Sequence, residues 1–321
     1  MLFPGSLKKA DIKPQMNLAY AVVAINIFVY IFSNLFFSSW PSVNSIEQLQ
    51  DKNFDVTISE MYQQTLDPIE KKRLENLSNE QIGSQAIQDH RFWARINTFP
   101  FSGDRVQIES MKNLVTKVKN EYFNSVQYQY GLSPTQTSPW AWVTYQFTHY
   151  SFFHLFGNLI FIFFIISFLE KSISAFWIGA VYILGGISGG VGFLLFSGLN
   201  NDGNLSMIGA SGSLCALMAF LVIVKKNETM PWIYFFAPVP KGYGEIYLPV
   251  FLIFPIYLIA DFTAVLFEPS GVSSSVAHSA HIGGTIMGLL LGGYYLVQRF
   301  LGSKTTSHGV LGDDDGLDKL F

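Results

Sequence analysis

Met207-Ile208-Gly209-Ala210-Ser211-Gly212-Ser213-Leu214-Cys215-Ala216 opens an apolar segment that runs to Val224 and stops at Lys225-Lys226. Counted from Leu205 at about 1.5 Å per helical residue, Ser211 falls roughly 10 Å inside a helix of membrane length. Serine and glycine commonly line helix–helix contacts in a bilayer, so taken alone the stretch indicates close packing and nothing more. Two other apolar segments change that reading, one with His149, His154 and Asn158 and one with His281. Ionisable groups within a span are costly and usually face a cavity or serve a function.

Composition fits a membrane protein. Half of the 321 residues are hydrophobic and only 13% are charged, with a mean hydropathy of +0.30. A net charge of -3 argues against nucleic acid as a partner. The single cysteine, Cys215, excludes an internal disulfide framework and any CxxC site. The first apolar run is too long for a signal-peptide core and lacks a small-x-small exit, so no cleavable leader is expected.

Six apolar stretches are long enough to span, near 17–39, 147–169, 175–198, 206–224, 246–267 and 278–301. The expected fold class is an all-α polytopic membrane protein. Lys8, Lys9 and Lys13 precede the first stretch, Lys171 follows the second, Lys225 and Lys226 the fourth, and Arg299 and Lys304 end the sixth. The short loops around Asp202 and Glu268 carry no Lys or Arg. By the positive-inside rule both termini, 1–16 and 302–321, face the cytoplasm, which suits a multi-pass protein of the plasma (inner) membrane. The tail, with Asp313-Asp314-Asp315, is expected to be disordered.

Residues 40–138 form a soluble insert between the first two spans, on the extracytoplasmic side, and hold about half of the charged residues. Asp67-Pro68 is an N-cap with proline at the first helical position, opening a helix through about Gln88. A second helix is expected over Lys112 to Tyr122. Phe92, Trp93, Phe99, Phe101 and Tyr122 supply a core, so the insert is expected to be a small helical subdomain. Trp232, Tyr234, Phe235, Phe236 and Tyr243, between the fourth and fifth spans, suit a membrane interface. Pro249 and Pro255 should kink the fifth span.

The second, fourth and sixth spans all begin on the outer side. His154 and Asn158, Ser211, and His281 therefore converge at one shallow outward depth. His154 and Asn158 are an i,i+4 pair on one helix face, whereas a helical wheel turns His149 roughly 140° from His154. Gly284, Gly288 and Gly292 make a small-residue stripe on the face of His281, and Gly212, Cys215, Ala216 and Ala219 can meet it. Such a crossing would bring His281 to Ser211. A serine hydroxyl becomes a nucleophile when a base takes its proton, and histidine suits that near neutral pH. The Ser211 backbone N–H, His154 and Asn158 can donate to an oxyanion, and Gly209 and Gly212 leave room for a bent substrate backbone. No carboxylate is placed to orient His281. Asp261 is the nearest, and reads as a solvated outer-end residue, so a Ser-His dyad is expected.

These residues resemble the rhomboid family of intramembrane serine proteases from the second span to the sixth. The resemblance rests on Trp140; Thr144-Tyr145-Gln146-Phe147 leading to His149, then His154 and Asn158; Gly209-Ala210-Ser211-Gly212; Pro238-Val239-Pro240; and Ala280-His281-Ile282-Gly283-Gly284 with Gly288. It implies a six-span rhomboid-like bundle with a catalytic core over 139–301. It implies Ser211 as nucleophile, His281 as general base, His154 and Asn158 as oxyanion donors, and a structural role for His149 in the outer loop. Gly209 would belong to the substrate-binding side, and Gly212, Gly284 and Gly288 to the helix packing. The implied reaction needs no cofactor or metal and cleaves transmembrane protein substrates near the outer face of the lipid bilayer, with the fifth span as a lateral gate. Two features depart from the family pattern. Cys215 stands where an aromatic residue often packs on the catalytic imidazole, and Trp140-Ala141 replaces a Trp-Arg pair.

Other functions fit fewer residues. His278, His281, His149 and His154 suggest a zinc-dependent membrane hydrolase. A catalytically inactive relative that binds membrane clients would not need the Ser211/His281 pair. A transporter would show inverted repeats or a charged midplane site, and neither is evident.

Overall fold

The structure, a computed structural model, describes residues 2–4, 17–37, 52–134, 138–200, 206–235, 242–255, 257 and 275–309. Among the described residues four helices are long and apolar enough to cross a membrane: α1 (Asn17–Phe36) and the later helices Phe152–Leu169, Ala175–Asn200 and Ser275–Gly309. The shorter apolar helix Ser211–Val224 lies among the last three.

The insert has more helices than expected. They are α2 (Lys52–Thr65), α3 (Pro68–Leu74), α4 (Asn79–Gln88), α5 (His90–Arg95), α6 (Arg105–Phe123) and α7 (Val126–Tyr130). The expected helix from Asp67 to Gln88 is two helices. Asp67 caps α3 by accepting from the Ile69 and Glu70 N–H groups at 2.8 Å, with Glu70 returning the bond to Asp67. Ser78 starts α4 with a second capping box. The expected Lys112–Tyr122 helix begins earlier, at Arg105, because Asp104 caps it. Phe54, Ile58, Met61, Phe92, Trp93, Ile96, Val115, Val118 and Tyr122 belong to one buried core.

The short helix α8 (Ala141–Thr144) and a 3-10 turn (Tyr145–Phe147) lead to α9 (Phe152–Leu169), which begins five residues later than expected because Ser151 caps it through the His154 N–H. At the other end of α9, Glu170 accepts from the Leu18 N–H at 2.9 Å and the Ala19 N–H at 3.5 Å. A carboxylate thus complements the N-terminus of α1 and ties the two helices together. Then come α10 (Ala175–Asn200) and α11 (Ser211–Val224).

The expected fourth span, 206–224, is corrected. Its helix has 14 residues and starts at Ser211, so the serine is not a turn or more inside it. Every residue from Gly212 to Leu221 is buried, which suits a helix that is apolar on all sides.

The chain is also not all-α. Strands β1 (Leu2–Pro4), β2 (Thr229–Phe235) and β3 (Tyr243–Pro249) form an antiparallel sheet in the order β1-β2-β3. Phe3 pairs with Ile233, and Trp232 with Ile246. The expected interfacial loop is therefore largely a hairpin, and Trp232 is fully buried against the main core. The start expected for the fifth span at 246 falls on a strand, and Pro249 precedes a 3-10 turn (Val250–Leu252). Of the rest of that stretch, 256 and 258–267 lie outside the described residues, as do Pro238-Val239-Pro240, Asp261 and the acidic tail. The last helix, α12 (Ser275–Gly309), continues past the expected end at 301.

Candidate active site

Ser211 is the first residue of α11, with Ala210 at the N-cap. The N–H groups of a first helical turn have no acceptor inside the helix and carry its positive end. The nucleophile candidate thus sits among N–H groups that the helix itself leaves without an acceptor. The turn into the helix depends on Gly209, whose φ of +128° an L side chain rarely adopts. Its N–H donates to the Tyr145 carbonyl at 2.8 Å. A Cβ on Gly209 would lie 2.8 Å from Cε1 and 3.1 Å from Nε2 of His154. The imidazole of His154 therefore stands beside the backbone leading into Ser211.

Asn158 lies one turn beyond His154 and donates from Nδ2 to the His154 carbonyl at 2.9 Å. This bond uses one of its two amide hydrogens. His149 differs from the helical-wheel reading. Its ring meets that of His154 at 5.2 Å and 68°. The wheel does not apply because α9 begins at Phe152 and His149 lies in the loop before it. His149 is buried, with Nδ1 3.3 Å from the Phe147 carbonyl oxygen.

The crossing of α11 and α12 is close. A Cβ on Gly284 would lie 2.9 Å from the carbonyl carbon and 3.2 Å from Cα of Gly212, and would overlap the carbonyl oxygen. Gly288 repeats the relation one turn on, 2.8 Å from Cα of Ala216. Only glycine allows backbone to approach backbone this closely. On α10, Gly189 is also in contact, 3.1 Å from the Cβ position of Gly283. Ser211 and His281 flank the Gly212–Gly284 contact: Ser211 adjoins Gly212, and His281 precedes Gly284 by about one turn.

His281 is 5% exposed. The ring of Tyr257 meets it edge-on at 6.2 Å and 67°, and Tyr257 also touches Phe161 of α9 at 5.5 Å. Cys215, which stands where the resemblance leads one to expect an aromatic, is fully buried, and an aromatic from the segment after the hairpin approaches the imidazole instead. No local pattern of residues marks Tyr257 for this place. The empty aromatic position at Cys215 was an indirect cue.

Gln146 anchors the far side of α11. Its Oε1 accepts from the Ser213 hydroxyl at 3.0 Å, while Nε2 donates to the Trp142 carbonyl at 2.9 Å. The ring of His278 lies 6.2 Å from that of His281. Among the described residues no three His, Cys, Asp or Glu side chains come together as a metal site would need.

Comparison with known proteins places this geometry in a wider group. The Rhomboid domain family matches residues 136–298, half of the chain. A protein named Rhomboid protease GlpG, from Yersinia enterocolitica serotype O:8 / biotype 1B, is 28% identical over 152 residues, 47% of this chain and 46% of its own. Its namesake in Yersinia pestis (strain Pestoides F) matches to the same extent. The chain spans about half the length of these curated relatives.

Proposed function

Because the chain belongs to the rhomboid family, we propose that it is an intramembrane serine endopeptidase acting through a Ser211/His281 dyad. The observation that carries this reading is the Gly212–Gly284 contact, with Ser211 at a helix N-terminus on one side and His281 on the other.

The steps follow from the residue chemistry. The His281 imidazole takes the Ser211 hydroxyl proton as Oγ attacks the scissile carbonyl carbon. The resulting oxyanion is held by the Ser211 N–H and by the side chains of His154 and Asn158. His281 returns the proton to the departing amine, leaving an acyl ester on Ser211. A water molecule, deprotonated by His281, attacks that ester; the acyl–Oγ bond breaks, His281 returns the proton to Oγ, and the new carboxyl terminus is released. Tyr257 supports the imidazole, and Gly209 keeps the approach to Ser211 open.

The substrates are transmembrane segments of other proteins in the lipid bilayer. The reading retains both termini in the cytoplasm of a plasma (inner) membrane protein, with the 40–138 insert and the cleavage site on the outer side. It retains a catalytic core over 139–301.

Active-site labelling tests the proposal. A fluorophosphonate should modify purified wild-type protein at Ser211 and leave Ser211→Ala unmodified. Equal labelling of both proteins, or none of the wild type, would refute it.

A further inference from the structure

The insert is tied to the chain segment that enters Ser211. Tyr122, at the end of α6, has its ring inside the insert core, 5.2 Å from both Trp93 and His90. Its hydroxyl reaches out of that core. It accepts from the Ser206 N–H at 3.1 Å and shares a hydrogen bond with the Ser206 hydroxyl at 2.7 Å. These partners are 84 residues apart.

The next residue is also held from the insert side. Met207 exchanges two backbone hydrogen bonds with Leu132, at 2.7 and 3.0 Å. Gly131 lies so near that a Cβ there would stand 2.6 Å from Cβ of Ser206 and 3.0 Å from Cγ2 of Ile208. Ser206–Ile208 is thus clamped along its length. It passes directly through Gly209, itself bonded to Tyr145, into Ser211.

We infer that Tyr122 is a positioning residue for the nucleophile, through which the folded insert sets where Ser211 stands. The inference rests on the proposed serine chemistry and assigns the insert a part in it. A rigid mount matters because a displacement of about 1 Å at a reacting group costs up to roughly a hundredfold in rate. Tyr122 touches no reacting atom, so its effect travels only through the position of the Ser206–Ile208 segment. Its ring and its hydroxyl have separable tasks, since the ring packs the insert and the hydroxyl holds Ser206.

The test uses the full-length protein in detergent micelles and the fluorophosphonate labelling rate at Ser211, with thermal unfolding measured in parallel. Tyr122→Phe keeps the ring and removes both hydroxyl bonds. Labelling should slow by about tenfold, with kcat on a transmembrane reporter falling in proportion and KM changing little. Ser206→Ala removes only the hydroxyl–hydroxyl bond and should have a smaller effect, and the double variant should be no slower than Tyr122→Phe. Such non-additivity is the signature of one shared interaction. If Tyr122→Phe lowers the melting temperature but is labelled at the wild-type rate, Tyr122 is merely structural and the inference is overturned. Wild-type protein that resists labelling would instead overturn the serine protease reading itself.

Discussion

The close crossing of α11 and α12 is open to a single-methyl test. Gly284→Ala places a Cβ 2.9 Å from the carbonyl carbon of Gly212 and 3.2 Å from its Cα. Non-bonded carbons sit comfortably at about 3.5–4.0 Å. The added methyl meets backbone, which cannot rotate aside, so the helices must part by roughly 1 Å. Overpacking of this kind costs about 1–3 kcal/mol. Its effect on chemistry should be of similar size, since a hundredfold in rate is about 2.7 kcal/mol. The displaced helix carries His281 about one turn away, and a misplacement of roughly 1 Å is worth up to about a hundredfold in rate. Gly293→Ala is the matched control, since its Cβ meets nothing within 4 Å on the same helix. Thermal unfolding in detergent and cleavage of a transmembrane reporter should therefore separate the two. Gly284→Ala should melt lower and lose most activity, and Gly293→Ala should match the wild type. A Gly284→Ala protein with wild-type melting and wild-type cleavage would falsify the crossing as the mount of the dyad.

Two further outcomes follow from single contacts. Tyr257→Ala should lower kcat by roughly tenfold with little change in KM, because the ring beside His281 is lost, while Tyr257→Phe should retain most activity; unchanged kcat in Tyr257→Ala would remove that support role. In the insert, burial pushes the His90 imidazole down from 6.5 to about 4. The unfolded chain then binds the proton first, so stability is full above about pH 6.5 and is lost as pH falls toward about 4. Allowing for the ring's partial exposure, the loss is about 1–2 kcal/mol. His90→Phe should flatten stability between those pH values, and an unchanged slope would contradict the assignment.

The small-residue stripe of α12 was legible because helix neighbours recur every three or four positions, and Gly284 and Gly288 meet α11 as that pattern requires. Hydropathy misplaced Ser211. Met207 and Ile208 are as apolar as a helix needs, but Met207 pairs with Leu132, and the positive φ of Gly209 separates both from the helix. The sheet was hidden for a different reason. Aromatic residues from Trp232 to Phe235 suit a membrane interface as well as a strand, and one partner strand, Leu2–Pro4, lies at the other end of the chain. Periodicity within a window cannot report such pairing. Tyr122 is buried in the insert core as its aromatic ring suggests, but the bond of its hydroxyl to Ser206 and the contact of Tyr257 with His281 arise only through the tertiary fold and leave no local pattern.

Cleavage in reconstituted membranes tests the dyad most directly. A single-span reporter in proteoliposomes, with the cut mapped by mass spectrometry, should be cleaved by the wild type and by neither Ser211→Ala nor His281→Ala, with or without a chelator. Wild-type rates from His281→Ala, or loss of cleavage on chelation alone, would contradict the account.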